Sequence, residues 1–291
     1  METGPIFGAN PDYKACEALL RGTYGEIRHL HDTQAARDFI SAHWNRYVRI
    51  LQKLPRFEKG APVLEVGASI ISSVLKRRLG ADVHTAYHEL ETEWAHRFAE
   101  EGIKGTPVEL LRDLLPYAPG SFALILFDEV MEHFPLSPDY FVTQLIRLLR
   151  PGGQLILSVP NFATWEHRMG LLRGRNPQDP MDARFVYYAH HREPVMAECL
   201  ELAARCGGRV TEHFYTDYAA PVSPMRTGWN LLRYLRHLEL HKIAHALLPS
   251  MRSYLFLRIE RDPDAKEMPS TEPPMSRSLE FAPIRKSRID G

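Results

Sequence analysis

The stretch from Ser121 to Asn161, SFALILFDEVMEHFPLSPDYFVTQLIRLLRPGGQLILSVPN, leaves the chain little choice of fold. Phe122 to Phe127 is almost wholly apolar, the composition of a strand buried on both faces. Polarity switches abruptly at Asp128-Glu129, and Glu132-His133 follow. Ionisable groups therefore cluster just beyond a strand's carboxyl end, where open α/β sheets hold ligands. Tyr140 to Leu149 has helical spacing, with Phe141, Leu145, Leu148 and Leu149 on one face. Arg150-Pro151-Gly152-Gly153 stops that helix, because proline cannot continue it and glycine tolerates the turn. Gln154 to Val159 reads as a second buried strand, closed by Pro160-Asn161.

The flanking sequence sets this block inside a larger α/β unit. Pro62 to Gly67 (PVLEVG) is a first strand with Gly67 at its carboxyl end, and Ile70 to Leu79 follows as a helix ended by Gly80. Asp82 to Tyr87 is a second strand, Trp94 to Glu101 lies in a second helix, and Val108 to Leu111 is a candidate third strand. After the block, Phe162 to Arg192 is rich in Arg, His and aromatics and too long for a plain connection. Pro194 suits a first helical position, Val195 to Arg205 form the helix, and Gly207-Gly208 lie past its end. Arg209 to Tyr215 alternates as a strand, and Ser253 to Ile259 (SYLFLRI) is the last one. Ahead of the sheet, residues up to about Tyr24 hold scattered turn formers and one weakly amphipathic piece near Cys16 to Leu20. Thr33 to Leu54 then repeats Phe39, Ile40, Trp44, Tyr47, Val48, Ile50 and Leu51 at helical offsets, as one or two helices.

Bulk properties narrow the partners. Lys+Arg and Asp+Glu are both 36, so the net charge is zero and nothing global points to nucleic acid. Three cysteines, Cys16, Cys199 and Cys206, without metal spacing suit a reducing compartment. The first residues lack a signal peptide's basic start and apolar segment, and no apolar run approaches the ~20 residues of a membrane span. A cytoplasmic protein is expected. From Met225 to Met251 runs a helical insertion, apolar on one side and carrying Arg226, Arg233, Arg236, His237, His241 and Lys242. Such a helix can pack ordinarily, lie on an anionic membrane surface, cover an apolar substrate or form a homodimer face. From Asp262 the composition turns to Pro, Ser, Glu, Lys and Arg, a tail that cannot bury enough surface to order itself.

The block's pattern of apolar strand, acidic pair, Glu-His, helix, LLRPGG, apolar strand and Pro-Asn resembles the second half of the class I S-adenosylmethionine (SAM)-dependent methyltransferases. The resemblance implies a Rossmann-like, mostly parallel seven-stranded α/β sheet flanked by helices, with the last strand antiparallel at the sheet edge and with helical insertions. It divides the chain into a helical cap at 1–56, a methyltransferase domain at 57–261 with insertions at 162–192 and 225–251, and the tail at 262–291. It implies SAM as cofactor. Glu65 and Gly67 match the acidic strand and tight turn of the first SAM motif, although Ala68 and Ser69 stand where further glycines are usual. Glu89, 22 residues beyond Gly67, is the candidate to hold both ribose hydroxyls, with Glu91 as runner-up. Asp113, with Leu114, resembles the family's loop bordering the adenine. Asp128 and Glu129 complete the cofactor candidates.

For the transfer itself, the enzyme aligns an acceptor lone pair and removes a proton where needed. His133, His190 and His191 are the candidate bases. Glu129 to His133 also resembles the E-x-x-E-H segment of ubiquinone-biosynthesis O-methyltransferases, some of which bind a divalent cation; the same spacing occurs where none is used, and no metal is expected here. The N/D-P-P-[FY] signature of amino-group methylation is missing, and Val159-Pro160-Asn161-Phe162 stands in its place. That favours a hydroxyl or carboxyl acceptor on a small molecule, glycan or lipid-linked intermediate. A catalytically inactive scaffold of the same fold is the alternative, motivated by Ala68-Ser69 and the long tail.

Overall fold

A computed structural model describes residues 12–30, 33–88, 92–110, 113–134, 137–178, 190–217 and 243–265. Its elements in chain order are α1 (Tyr13–Ile27), α2 (Gln34–Ala42), α3 (Trp44–Lys53), β1 (Pro62–Val66), α4 (Ile70–Arg77), β2 (Asp82–His88), α5 (Thr92–Glu101), β3 (Lys104–Val108), β4 (Phe122–Asp128), α6 (Asp139–Leu148), β5 (Leu149–Pro160), α7 (Trp165–Leu171), α8 (Met196–Arg205), β6 (Gly208–Thr216) and β7 (Tyr254–Arg261). A single 3-10 turn at Met131–His133 links β4 to the approach to α6. The seven strands form one sheet in the order β3-β2-β1-β4-β5-β7-β6. β1 to β5 pair parallel, and β7 pairs antiparallel with both β5 and β6.

The central strand β4 shows why the sheet is covered on both sides. Ile125 and Phe127 point into one core with Phe141 and Leu145 of α6 and Leu202 of α8. Leu124 and Leu126 point into a second core with Leu20 of α1, Val48 of α3 and Val74 of α4. Burying each such side chain stabilises the fold by about 1.5–3 kcal/mol, so a polar residue at any of them would break the layer. The consequence for function is a rigid sheet whose parallel strands all end on one edge.

Several details differ from the sequence reading. α1 is a full helix from Tyr13 to Ile27, built on Cys16, Leu20, Thr23 and Ile27. Its moderate amphipathicity hid it; packing against α3 and α4 holds it. The third strand is Lys104–Val108 rather than Val108 to Leu111, because pairing with β2 outweighs an exposed, glycine- and proline-containing sequence. β7 lies between β5 and β6, so β6 is the edge strand, where the sequence reading put β7. Pro194 lies just before α8, with Val195 as its N-cap. The 225–242 part of the insertion at 225–251, together with residues 218–224 ahead of it, the 179–189 part of the insertion at 162–192 and the tail beyond 265 lie outside the described residues. Among the described residues no helix is long and apolar enough to cross a membrane.

Candidate functional site

The carboxyl ends of β1 and β4 meet at the middle of the sheet. Gly67 follows β1 at φ 93°, and a Cβ there would fall 3.2 Å from Val130 Cγ2. Only glycine satisfies both that conformation and that approach. Ser69 then opens α4 as its N-cap, its hydroxyl accepting from Ile71 N at 3.0 Å. The same hydroxyl donates to Glu65 Oε1 at 2.5 Å, and Ser72 donates to the other carboxylate oxygen. Glu65 is fully enclosed; burial pushes its carboxyl up to about 7, partly opposed by the two serines, and the charge of Asp128 adds to the rise.

A second buried network closes the end of β4. Asp128 is in register with Ser158 of β5, whose hydroxyl donates to Asp128 and lies 3.3 Å from Glu129 Oε1. Glu129 adopts φ 55°, the left-handed region that costs a non-glycine residue about 1–3 kcal/mol. From α3, Arg46 reaches over the strand end, with Nε 3.3 Å from Asp128 Oδ2 and Nη1 3.7 Å from Glu129 Oε2. Burial works against the Arg46 charge, yet the two carboxylates hold its pKa above the ordinary value. Glu129 is pushed well above the usual carboxylate range, first by burial and then by the charge of Glu132. The cap helix thus covers the site and contributes a charge to it.

Beyond the 3-10 turn a third cluster forms. Glu132 is 1% exposed, and among the described residues neither oxygen of its carboxylate has a hydrogen-bond partner. His133 Nε2 and His190 Nε2 each lie 3.9 Å from Glu132 Oε1. His190 Nδ1 is 2.7 Å from Glu193 Oε1, and His167 Nδ1 is 3.8 Å from Glu193 Oε2. The backbone N–H groups of His191 and Arg192 donate to the Glu132 carbonyl at 2.8 and 3.2 Å, tying the end of the insertion to the turn. Burial pushes the Glu132 carboxyl up to about 7.

Most sequence candidates therefore converge. Glu65, Gly67, Ala68 and Ser69 meet Asp128 and Glu129 at the strand ends, and His133 and His190 come together over Glu132. His191 instead lines a cavity of about 600 Å³ with Met131, Phe134, Cys199, Leu202 and Arg205, beside α8. Asp113 turns onto its own loop, its carboxylate accepting from Glu109 N at 2.7 Å, while Leu114 is exposed. At the neighbouring strand ends His88 Nε2 is 3.1 Å from Glu109 Oε2. Glu89 and its runner-up Glu91 lie outside the described residues. Sequence reasoning missed Arg46, Ser72, Ser158, His167 and Glu193. Ser72 had a signal, seven residues after Glu65 and one helical turn beyond the cap. The others are brought in only by tertiary packing.

Residues 65–157 match the family described as a methyltransferase domain. No curated protein matches the chain in sequence. Among solved structures, one from Haloferax volcanii, solved as a complex with the Trm112 methyltransferase activator, is similar at 14% identity and a TM-score of 0.54, over 85% of this chain and 97% of that one. A SAM-dependent methyltransferase from Mesorhizobium loti is similar at 14% identity and a TM-score of 0.50, over 75% of this chain and 98% of that one. At these identities the likeness speaks for the fold.

Proposed function

We propose that this chain, whose residues 65–157 match the methyltransferase domain family, is a class I SAM-dependent methyltransferase that transfers the methyl group to an oxygen of a small molecule, glycan or lipid-linked acceptor. The observation that carries the reading is an imbalance of buried charge. Three enclosed carboxylates, Glu65, Asp128 and Glu129, meet one enclosed guanidinium, Arg46, at the strand ends. Burial pushes two of those carboxyls, Glu65 and Glu129, upward, and the charge of Asp128 adds to both. The α-ammonium and sulfonium of SAM supply that missing positive charge, and Gly67 leaves room for a ligand to approach the backbone. When bound, SAM supplies an electrophilic methyl on a good leaving group. The chain's own task is then to hold the donor, exclude water and align the acceptor.

Oxygen as the acceptor atom is supported by Asn161, which occupies the place of the amino-methylating signature. Its amide is spent inside the fold: Nδ2 donates to the carbonyls of Ser250 and Arg252 at 2.9 and 2.7 Å, and Oδ1 accepts from Ala163 N at 3.0 Å. The Glu132–His133–His190 cluster lies next to Glu129 and is assigned the acceptor's hydroxyl. His191, at the separate cavity, is placed last among the candidate bases.

Incubation with methyl-labelled SAM and acceptor extracts, followed by mass-spectrometric location of the methyl group, tests the proposal. Label on oxygen is expected; label on nitrogen overturns the choice of acceptor atom. Calorimetry reads the donor site separately. No binding of SAM or S-adenosylhomocysteine at millimolar ligand would leave only the scaffold reading. Glu89→Ala should weaken SAM binding at least tenfold, since each charge-assisted bond to a ribose hydroxyl contributes about 1.5–3 kcal/mol. An unchanged affinity would move that role to Glu91 or His88.

A further inference from the structure

We propose that the cavity beside α8 is a binding site of its own, for one uncharged, largely apolar small molecule that carries a hydrogen-bonding group. It lies apart from the strand-end network assigned to the donor, and no step of the transfer proposed above uses it.

Size and frame are the first reason. The cavity measures about 600 Å³, inside the range of about 300–1,000 Å³ usual for small-molecule sites. Its floor is apolar and comes from two directions. Met131 and Phe134 belong to the turn after β4, while Cys199 and Leu202 stand one turn apart on α8. All four are buried, so the floor has a fixed shape. Both ends are pinned. At one end Arg205 Nε donates to Asp139 Oδ1 at 2.9 Å and ties α8 to α6. At the other, the backbone N–H groups of His191 and Arg192 donate to the Glu132 carbonyl, and Arg192 pairs with Glu198 of α8. Walls fastened at both ends keep the space between them open.

Charge decides the class of ligand. Both guanidiniums in the lining are already matched, Arg192 by Glu198 and Arg205 by Asp139. The charge of Glu201, also in the lining, acts on Arg205 as well. An anion would compete with these carboxylates for the arginines, and a cation would compete with the arginines for the carboxylates. An ion leaving water for such a rim gains no unmatched partner, whereas an uncharged body loses nothing. His191 supplies the polar contact at the exposed mouth. In either tautomer its ring offers one donor or acceptor to a hydroxyl, carbonyl or amine. The site also has a neighbour of consequence. His190 faces Glu132 while His191 faces the cavity, and Met131 and Phe134 flank Glu132 and His133. The cavity and the carboxylate–imidazole cluster are thus two sides of one turn.

Two dyes built on one skeleton test the site. N-phenyl-1-naphthylamine is uncharged, and 1-anilinonaphthalene-8-sulfonate adds a single negative charge to it. Full-length protein is titrated with each and read by fluorescence. One uncharged dye per chain is expected, bound about tenfold or more tighter than the sulfonate. Leu202→Phe, which fills the floor, should weaken the uncharged dye about tenfold or more. His191→Trp should do the same from the exposed mouth, so the site stays testable if Leu202→Phe does not fold. Leu172→Ser, at an exposed leucine on the other side of the insertion, should change nothing. Absence of saturable binding overturns the site, as does a preference for the sulfonate or wild-type affinity in His191→Trp. Loss of binding in Leu172→Ser overturns it too, by placing the dye on the outer surface. SAM calorimetry on the same samples reads the donor site independently, so failure of the cavity and failure of the methyltransferase reading are distinguishable.

Discussion

Glu65 carries a consequence measurable without any substrate. Its carboxyl sits at about 7 in the folded chain against an ordinary 4.5, because burial disfavours the charge. Between those values the folded state keeps a proton that the unfolded state releases. Folding stability from this group is therefore fully present below the unfolded value and falls as pH rises, levelling once the folded value is passed. Glu65→Gln, neutral and of the same shape, should flatten that fall in thermal melts of the cofactor-free protein. Equal pH slopes in the two proteins would show that Glu65 is not the group responsible. Arg46 gives the opposite lesson. Its side chain is at least as enclosed as the carboxylates it serves, so Arg46→Ala leaves Asp128 and Glu129 largely shielded from water without it. A loss of about 3–5 kcal/mol is expected in denaturant titrations. A midpoint within experimental error of wild type would show the cap helix to be merely resting on the sheet.

At the scale of elements, the Arg150–Gly153 turn shows two glycines present for different reasons. Gly152 takes φ 73° with open space around it, so the requirement there is conformational. Gly153 is instead confined by backbone: a Cβ would sit 2.8 Å from the Phe122 carbonyl and 2.9 Å from that of Arg150. The bulge between Phe122 and Leu124 in the β4–β5 pairing lies at this crossing. Gly152→Asn should be tolerated within about 1 kcal/mol, because asparagine enters the left-handed region readily. Gly153→Ala should cost more and push β5 away from β4, since neither carbonyl can yield without breaking the ladder. Unfolding midpoints in the reverse order would refute this division of roles. The shift matters for function because β4 and β5 together place Asp128, Glu129 and Ser158.

For the whole molecule, the question is which insertion residues serve the fold and which serve the acceptor. The 243–251 portion is anchored. His245 Nδ1 is 2.9 Å from Asp217, Met251 is buried, and the Ser250 carbonyl accepts from Asn161. Removing it should destabilise β7 and the strand-end edge together. Replacing residues 225–242 with a short linker is the cleaner cut. The truncated protein should keep its melting temperature and SAM affinity and lose acceptor turnover. Turnover at the wild-type rate would remove that segment from the acceptor site.

The sequence by itself determined the core of this fold. β1, β2, β4, α4, α6 and α8 were legible because each is an apolar run or stripe with its stop signal beside it, and both properties are local. The same locality exposed Glu65, Gly67, Asp128, Glu129 and His133, which sit on or next to those elements. β3 was misplaced because its own residues are poor strand formers and only pairing with β2 makes them one. The position of β7 inside the sheet depends on a long-range antiparallel pairing that no local pattern encodes. Arg46 lies 82 residues from Asp128, and Glu132 lies 58 residues from His190. Charges that far apart acquire meaning only when packing excludes water between them. The buried ion network at the strand ends and the carboxylate–imidazole cluster beside it are therefore decisions of the tertiary structure.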